Sequence, residues 1–338
     1  MFRQESIRGP RWLAHGKDPF FPAWNDTAQL DYRRGDTREA MLAQLRSVAS
    51  RCDGVRCDMA MLVLNEVFAR NWERFPRTAP PASGEFWAEA IAAVQRPDFL
   101  FIAEAYWDLE SCLQLLGFDF TYDKRVTDLV VERRWPELQE HLLGKSDDFL
   151  QRSVHFLENH DEPRIAGRLS PAEHRAAALL ILALPGLCLL HEGQLSGVRR
   201  RLPVQLGRRP FEPANQEIQT LYASLLTTLP AIAVGKGTAQ VLRALPVSSE
   251  DASAKNVFVI HWQERGPEFD LAVINLAPEP ARCRVKPPQL ESKAQGYAAF
   301  DWLGDRTQIR LFNGTANQGL LLEVPAHAAQ LLHFYPAS

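Results

Sequence analysis

Gly54-Val55-Arg56-Cys57-Asp58, Phe101-Ile102-Ala103-Glu104-Ala105-Tyr106-Trp107 and Phe156-Leu157-Glu158-Asn159-His160-Asp161-Glu162 are the stretches whose reading decides the fold. Each is a short run of mostly apolar residues leading to a carboxylate. Runs of this length between longer patterns suit strands buried on both faces. Arg56 and Asp58 are two residues apart and so share one face of a strand. In an α/β barrel the working residues sit at the C-terminal ends of the strands, where the βα loops begin. One strand ending in an acid says little; three in succession form a specific pattern.

Outward from these stretches the chain alternates. Strand candidates lie at residues 54–60, 99–105, 118–122, 153–158 and 186–191, with helical patterns at 86–94, 108–116, 126–143 (interrupted) and 171–184. Strands separated by helices imply a parallel sheet with helices outside it. Ser170 followed by Pro171 reads as an N-cap with proline at the first helical position. Upstream, Asp36 and Glu39 read as a capping box before the stripe Ala40, Leu42, Leu45 and Val48. The first 35 residues are rich in proline and aromatics, without a period. They read as a loop packed on something.

From residue 240 onward the runs become short and β-like, at 257–262, 271–276, 297–302, 307–311, 320–324 and 330–335, with Gly, Pro, Asn and Asp between them. That spacing predicts an antiparallel β domain. Gly235-Lys236-Gly237 is the natural linker. The expected division is residues 1–235 as an α/β domain and 240–338 as a β-sandwich.

Composition excludes several classes. A chain of 338 residues suits two domains, and 46% hydrophobic with 23% charged residues is globular. Lys+Arg number 38 against 41 Asp+Glu, a net of −3, so no global basic field points to nucleic acid. Arg199-Arg200-Arg201 and Arg208-Arg209 form a local run, read as a solvated loop. Five cysteines make an odd count without paired spacing. Free thiols in a reducing cytoplasm fit better than a zinc site. His191-Glu192-Gly193-Gln194 lacks the second histidine of a zinc motif and is not read as a metal site. Arg3, Glu5 and Arg8 stand where a secretory leader needs an apolar core. The 15-residue apolar run 176–190 is broken by Pro185-Gly186 and is too short for a membrane span. The expectation is a cytoplasmic protein with no membrane partner, no metal and no cofactor.

The chemistry that needs a carboxylate cluster is glycoside hydrolysis. One carboxylate attacks the anomeric carbon and a protonated second one gives its proton to the leaving oxygen. A separation of ~5–5.5 Å between the two implies retention through a covalent glycosyl-enzyme. A third carboxylate keeps an acid protonated by like-charge repulsion and stabilises an oxocarbenium-like state. Each acid also has a plain alternative: Asp58 as a cap, Glu104 as a surface acid, Asp161 and Glu162 as a solvated pair with Arg164, or Glu158, Asp161 and Glu162 as a cation site.

The three stretches resemble signature regions of the α-amylase family, glycoside hydrolase family 13, in the family's order at its fourth, fifth and seventh barrel strands. The resemblance runs from about Lys17 to Leu226, and a trailing β domain is usual in the family. It implies Asp58 as nucleophile, Glu104 as acid/base and Asp161 as transition-state stabiliser. Arg56 would orient the nucleophile, His160 would hold sugar hydroxyls, and Tyr106 and Trp107 would form a stacking platform. The implied substrates are α-glucans or malto-oligosaccharides. One departure stands out: the family's Asp…Asn-His does not occur before Asp58, and only 53 residues precede Gly54. The fold expected is therefore a partial (β/α)8 TIM barrel of about five of the eight strands that closure needs, plus the antiparallel β domain. An oligomer covering the open barrel edge is a natural complement. A non-catalytic carbohydrate-binding remnant is the alternative.

Overall fold

The structure is a computed structural model that describes residues 1–7, 9–75, 83–203, 206–291, 296–312 and 318–337. The chain forms two compact units, Met1–Tyr122 and Asp123–Ser338.

The first unit opens with two short antiparallel strands, β1 (Phe2–Gln4) and β2 (Arg11–Leu13), where only a loop was expected. Trp12 and Phe21 are exposed, but Lys17 lies over Trp72, Phe20 against Trp107 and Tyr32 against Phe68 and Phe86, so the opening is packed in part, as expected. Helix α1 spans Gly35–Ala49, and Arg34, not Asp36, occupies its N-cap position. The Asp36 carboxylate is held by Arg34 at 2.9 and 2.5 Å, which withdraws it from capping. From the first turn it still complements the helix dipole. The expected capping box is corrected on that ground.

Three parallel strands follow: β3 (Gly54–Cys57), β4 (Leu100–Ala103) and β5 (Phe120–Tyr122). Helices α2 (Asn65–Asn71), α3 (Phe86–Val94) and α4 (Glu110–Leu115) lie between them in sequence. The register sets Arg56 beside Ile102 and Cys57 beside Ala103, so β3 and β4 end side by side. Their core is Met61, Phe99, Phe101, Leu113 and Phe118, all buried. Burial contributes roughly 1.5–3 kcal/mol for each side chain of this size. Gly54 is obligatory here, since a Cβ would stand 2.7 Å from the Leu100 carbonyl oxygen.

The second unit begins with α5 (Lys124–Val131), α6 (Trp135–Gly144) and α7 (Asp147–Gln151), then β6 (Ser153–His155), α8 (Pro171–Ala183) and β7 (Leu187–Cys188). Strands β6 and β7 pair in parallel. Ser170 caps α8 as its sequence predicts: its side chain accepts from Glu173 N, and Glu173 reaches back to Ser170 N. The apolar run 176–190 is thus a buried helix turning into a strand. Helix α9 (Gln216–Thr228) was not anticipated. Its signals were Asn215, whose Oδ1 accepts from Glu217 N and Ile218 N, and the buried stripe Ile218, Leu221, Tyr222 and Leu225.

The β region comprises β8 (Thr238–Leu242), β9 (Leu245–Pro246), β10 (Val257–Gln263), β11 (Phe269–Asn275), β12 (Ala281–Val285), β13 (Tyr297–Asp301), β14 (Arg310–Phe312), β15 (Leu320–Val324) and β16 (Ala329–Pro336). A six-stranded sheet runs β14-β13-β16-β11-β10-β8, and a three-stranded one runs β15-β12-β9. Val259, Leu271, Val273 and Phe334 of the larger sheet share a core with Cys283, Val285, Leu320 and Leu322 of the smaller. The alternate residues Phe258, Ile260, Ala272 and Ile274 join the core of α8. Strands β10 and β11 are therefore covered on both faces, which is why they read as unbroken apolar runs. Trp262 Nε1 donates to the Ala183 carbonyl at 2.7 Å and fastens β10 to the end of α8.

The five parallel strands, three in the first unit and two in the second, with the antiparallel β domain after them, are the partial (β/α)8 barrel and C-terminal β domain expected from the sequence.

Candidate active site

In the first unit β3 delivers Arg56 and then Asp58, and β4 delivers Glu104. Because the two strands are in register, one arginine reaches both acids. Arg56 Nη1 donates to Asp58 Oδ1 at 2.5 Å, and its Nη2 lies 3.0 Å from Glu104 Oε1. The acids sit in opposite settings: the Asp58 side chain is 78% exposed and that of Glu104 is 3% exposed. Glu104 Oε1 also accepts from the Tyr106 hydroxyl at 2.7 Å, and Oε2 from the Met59 amide at 2.7 Å. An exposed acid is free to meet a ligand, whereas a buried one is held in place by charge-assisted hydrogen bonds.

Arg56 is positioned from beneath by Tyr122 of β5. Its Nε lies 3.4 Å from the hydroxyl and its guanidinium 5.6 Å from the ring centre. Burial works against its charge, but Tyr122, Glu104 and Asp58 outweigh that and raise its pKa above the usual arginine value. Backbone strain gathers at the same strand ends. Met59 (φ 43), Trp107 (φ 66) and Asp108 (φ 59) all have left-handed backbone without being glycine. Such conformations cost about 1–3 kcal/mol each and persist where surroundings enforce them, as at functional sites. Trp107 packs edge-on against Phe20, with ring centres 5.1 Å apart.

In the second unit the stretch after β6 divides its acids between two tasks. Glu158 is fully buried. Its Oε1 pairs with Arg164 Nη1 at 2.7 Å and its Oε2 accepts from Ile165 N at 2.6 Å. His191, beyond β7, joins this pair, with Nδ1 3.2 Å from Glu158 Oε1. Burial first, then the Arg164 charge, lowers the His191 pKa, so the imidazole is neutral near pH 7. Asn159 Oδ1 accepts from the amides of Asp161 and Glu162, a tight turn that brings His160 and Asp161 outward. The half-exposed pair His160 Nε2 and Asp161 Oδ2 lies 3.1 Å apart. Arg164 thus pairs with Glu158, not with Asp161 and Glu162, and Glu162 turns to Lys124 at 3.2 Å. Glu158 is spent on a structural pair and is not available to a cation site with its neighbours.

Arg56, Asp58, Glu104 and Tyr106 are therefore brought together by the first unit, with Trp107 beside them, and His160 and Asp161 by the second. Sequence reading missed the Tyr122 support, the Met59 amide and the Glu158–Arg164–His191 network. Only Arg164, six residues after Glu158, was a visible signal. No group of three or more His, Cys, Asp or Glu that could hold a metal occurs among the described residues. No helix of the described residues is long and apolar enough to cross a membrane.

Parallel strands ending in an arginine-bridged pair of carboxylates define a barrel-type α/β protein with an acidic strand-end site. Comparison with solved structures gives the fold a closer description. The chain is similar to a maltogenic α-amylase from Thermotoga neapolitana, at 20% identity and a TM-score of 0.70, over 96% of this chain and 72% of that one. It is similar to an α-amylase from Geobacillus thermoleovorans solved with acarbose, at 18% identity and a TM-score of 0.62, over 97% and 72%. It is also similar to a debranching enzyme from Nostoc punctiforme, at 17% identity and a TM-score of 0.62, over 95% and 67%. The fold is that of these α-amylase and debranching-enzyme structures. No family model and no curated protein sequence matches the chain.

Proposed function

We propose that the protein is a retaining glycoside hydrolase or transglycosylase acting on α-glucosidic linkages of α-glucans or malto-oligosaccharides. The observation that carries this reading is Arg56 bridging an exposed Asp58 and a buried Glu104 at adjacent strand ends. Asp58 attacks the anomeric carbon while Glu104, protonated, gives its proton to the leaving oxygen. Water or a sugar hydroxyl, deprotonated by Glu104, then releases the glycosyl-enzyme. Asp161 supplies the third negative charge, and His160 and the platform of Tyr106 and Trp107 hold the sugar. The arginine fixes the direction of attack of Asp58. Residues 1–235 carry this site and 240–338 the β-sandwich that follows. Five unpaired cysteines support a cytoplasmic location. Self-association along the free edge of the parallel strands belongs to the same proposal, and no nucleic acid or membrane partner is proposed.

A second reading, a non-catalytic carbohydrate-binding remnant, is favoured by one feature: both Glu104 oxygens are already occupied by donors of the chain itself. Release of reducing sugar from maltodextrin by the purified protein, beside its Asp58→Asn variant, separates the two. Turnover that vanishes in the variant supports the enzyme. No turnover from a folded protein that still binds maltodextrin supports the remnant, and activity retained in the variant removes Asp58 as nucleophile.

A further inference from the structure

The loop between β7 and α9 carries charge that the glycosidase reading leaves unused. Residues 199–209 contain Arg199, Arg200, Arg201, Arg208 and Arg209 in a chain whose net charge is −3. Arg209 Nη1 donates to Glu192 Oε1 at 2.6 Å. The side chains of Arg199, Arg200, Arg201 and Arg208 make no ion pair among the described residues. Two of the five, Arg200 and Arg209, line a concavity of about 360 Å³ together with Arg164, Ser196, Leu202 and Phe211 among others. Glu212 also lines it, but its two oxygens accept from the backbone amides of Arg199 and Arg200, at 2.8 and 3.3 Å. Phe211 is 88% exposed, so its ring is left facing solvent.

Guanidinium groups beside an aromatic face suit an organic anion. The planar fork of arginine matches a phosphate oxygen pair, and an aromatic ring suits the C–H face of a sugar. The volume is at the small end of ligand cavities, enough for one monosaccharide and not for a glucan chain. The cavity includes Gly193, two residues past His191, so it opens at the C-terminal end of β7, on the same unit as His160 and Asp161. We propose that this cavity binds a phosphorylated monosaccharide, with Arg200 on the phosphate and Phe211 against the ring. That the anion is a sugar phosphate, and not another organic phosphate, rests on the glycosidase reading; the anion site itself does not.

The test is titration calorimetry on the Asp58→Asn protein, which is expected to turn nothing over, with glucose 6-phosphate, inorganic phosphate and glucose as separate probes. Glucose 6-phosphate should bind at least tenfold more tightly than either of the others. Arg200→Gln should weaken it at least tenfold, and rising salt should weaken it further. Arg200 is exposed and unpaired, so its variant should keep the parent melting temperature. Absence of glucose 6-phosphate binding, or binding unchanged by Arg200→Gln, would overturn the site. Inorganic phosphate binding as tightly as the sugar phosphate would overturn the sugar assignment. Arg200-dependent binding, together with a parent protein (Asp58 intact) that is inactive on maltodextrin, would uphold this site while the glycosidase reading fails.

Discussion

At the scale of single residues, burial decides what each acid can do. Asp58 and Glu158 both follow parallel strands, yet one is open to solvent and the other is enclosed with Arg164. Removing one partner of an enclosed pair leaves an uncompensated charge and costs roughly 3–5 kcal/mol. Arg164→Met is therefore expected to lower the melting temperature sharply. Asp58→Asn, at an exposed position, should leave it nearly unchanged. Thermal unfolding of the two variants side by side checks both expectations. Equal losses would mean that the Glu158 pair is not held as described.

At the scale of elements, α8 and its neighbours carry a pH dependence. His174 of α8 is buried, and its Nε2 lies 3.0 Å from the Tyr222 hydroxyl of α9. Burial lowers its pKa from 6.5 to about 4. The unfolded chain then binds a proton that the folded chain refuses between these values. The contribution to stability is complete above pH 6.5 and is lost as pH falls toward 4, by about 3 kcal/mol. Denaturant unfolding between pH 7.5 and pH 4 should show this loss, with a smaller fall in His174→Gln. An unchanged slope in the variant would place the pH dependence elsewhere. The turn from α8 into β7 sets a steric limit. Gly186 has φ +101, and a Cβ there would lie 2.6 Å from the Leu150 carbonyl oxygen, with the Ser153 oxygen closer still. Gly186→Ala is expected to cost more than 2 kcal/mol, on the order of the strain and overpacking penalties combined. A melting temperature within two degrees of the parent would contradict it.

At the scale of the whole molecule, β3 pairs with β4 alone among the described strands, so its other edge carries unpaired backbone donors and acceptors. Such an edge is a template for a further strand. The purified protein is expected to run as an oligomer in gel filtration with light scattering. A strictly monomeric protein at micromolar concentration would show that the edge is tolerated in solvent.

How much of this was legible beforehand follows from the range of the interactions involved. Helix 86–94, the Ser170 cap and the apolar run 176–190 were readable because capping and periodicity act within a few residues. Strand ends were over-extended, at 54–60 against Gly54–Cys57, because Met59 and Ala60, apolar like the strand, belong to the turn and short helix that follow the exposed Asp58. The order of Asp58, Glu104 and Asp161 along the chain, and the residue types beside them, came from the sequence by itself. What only the tertiary structure decided is which acids face solvent and which partner holds each one. Arg56 lies 48 residues before Glu104 and 66 before Tyr122, and Glu158 33 before His191. No local propensity encodes such pairings; they exist because parallel strands in register bring distant residues to a common end.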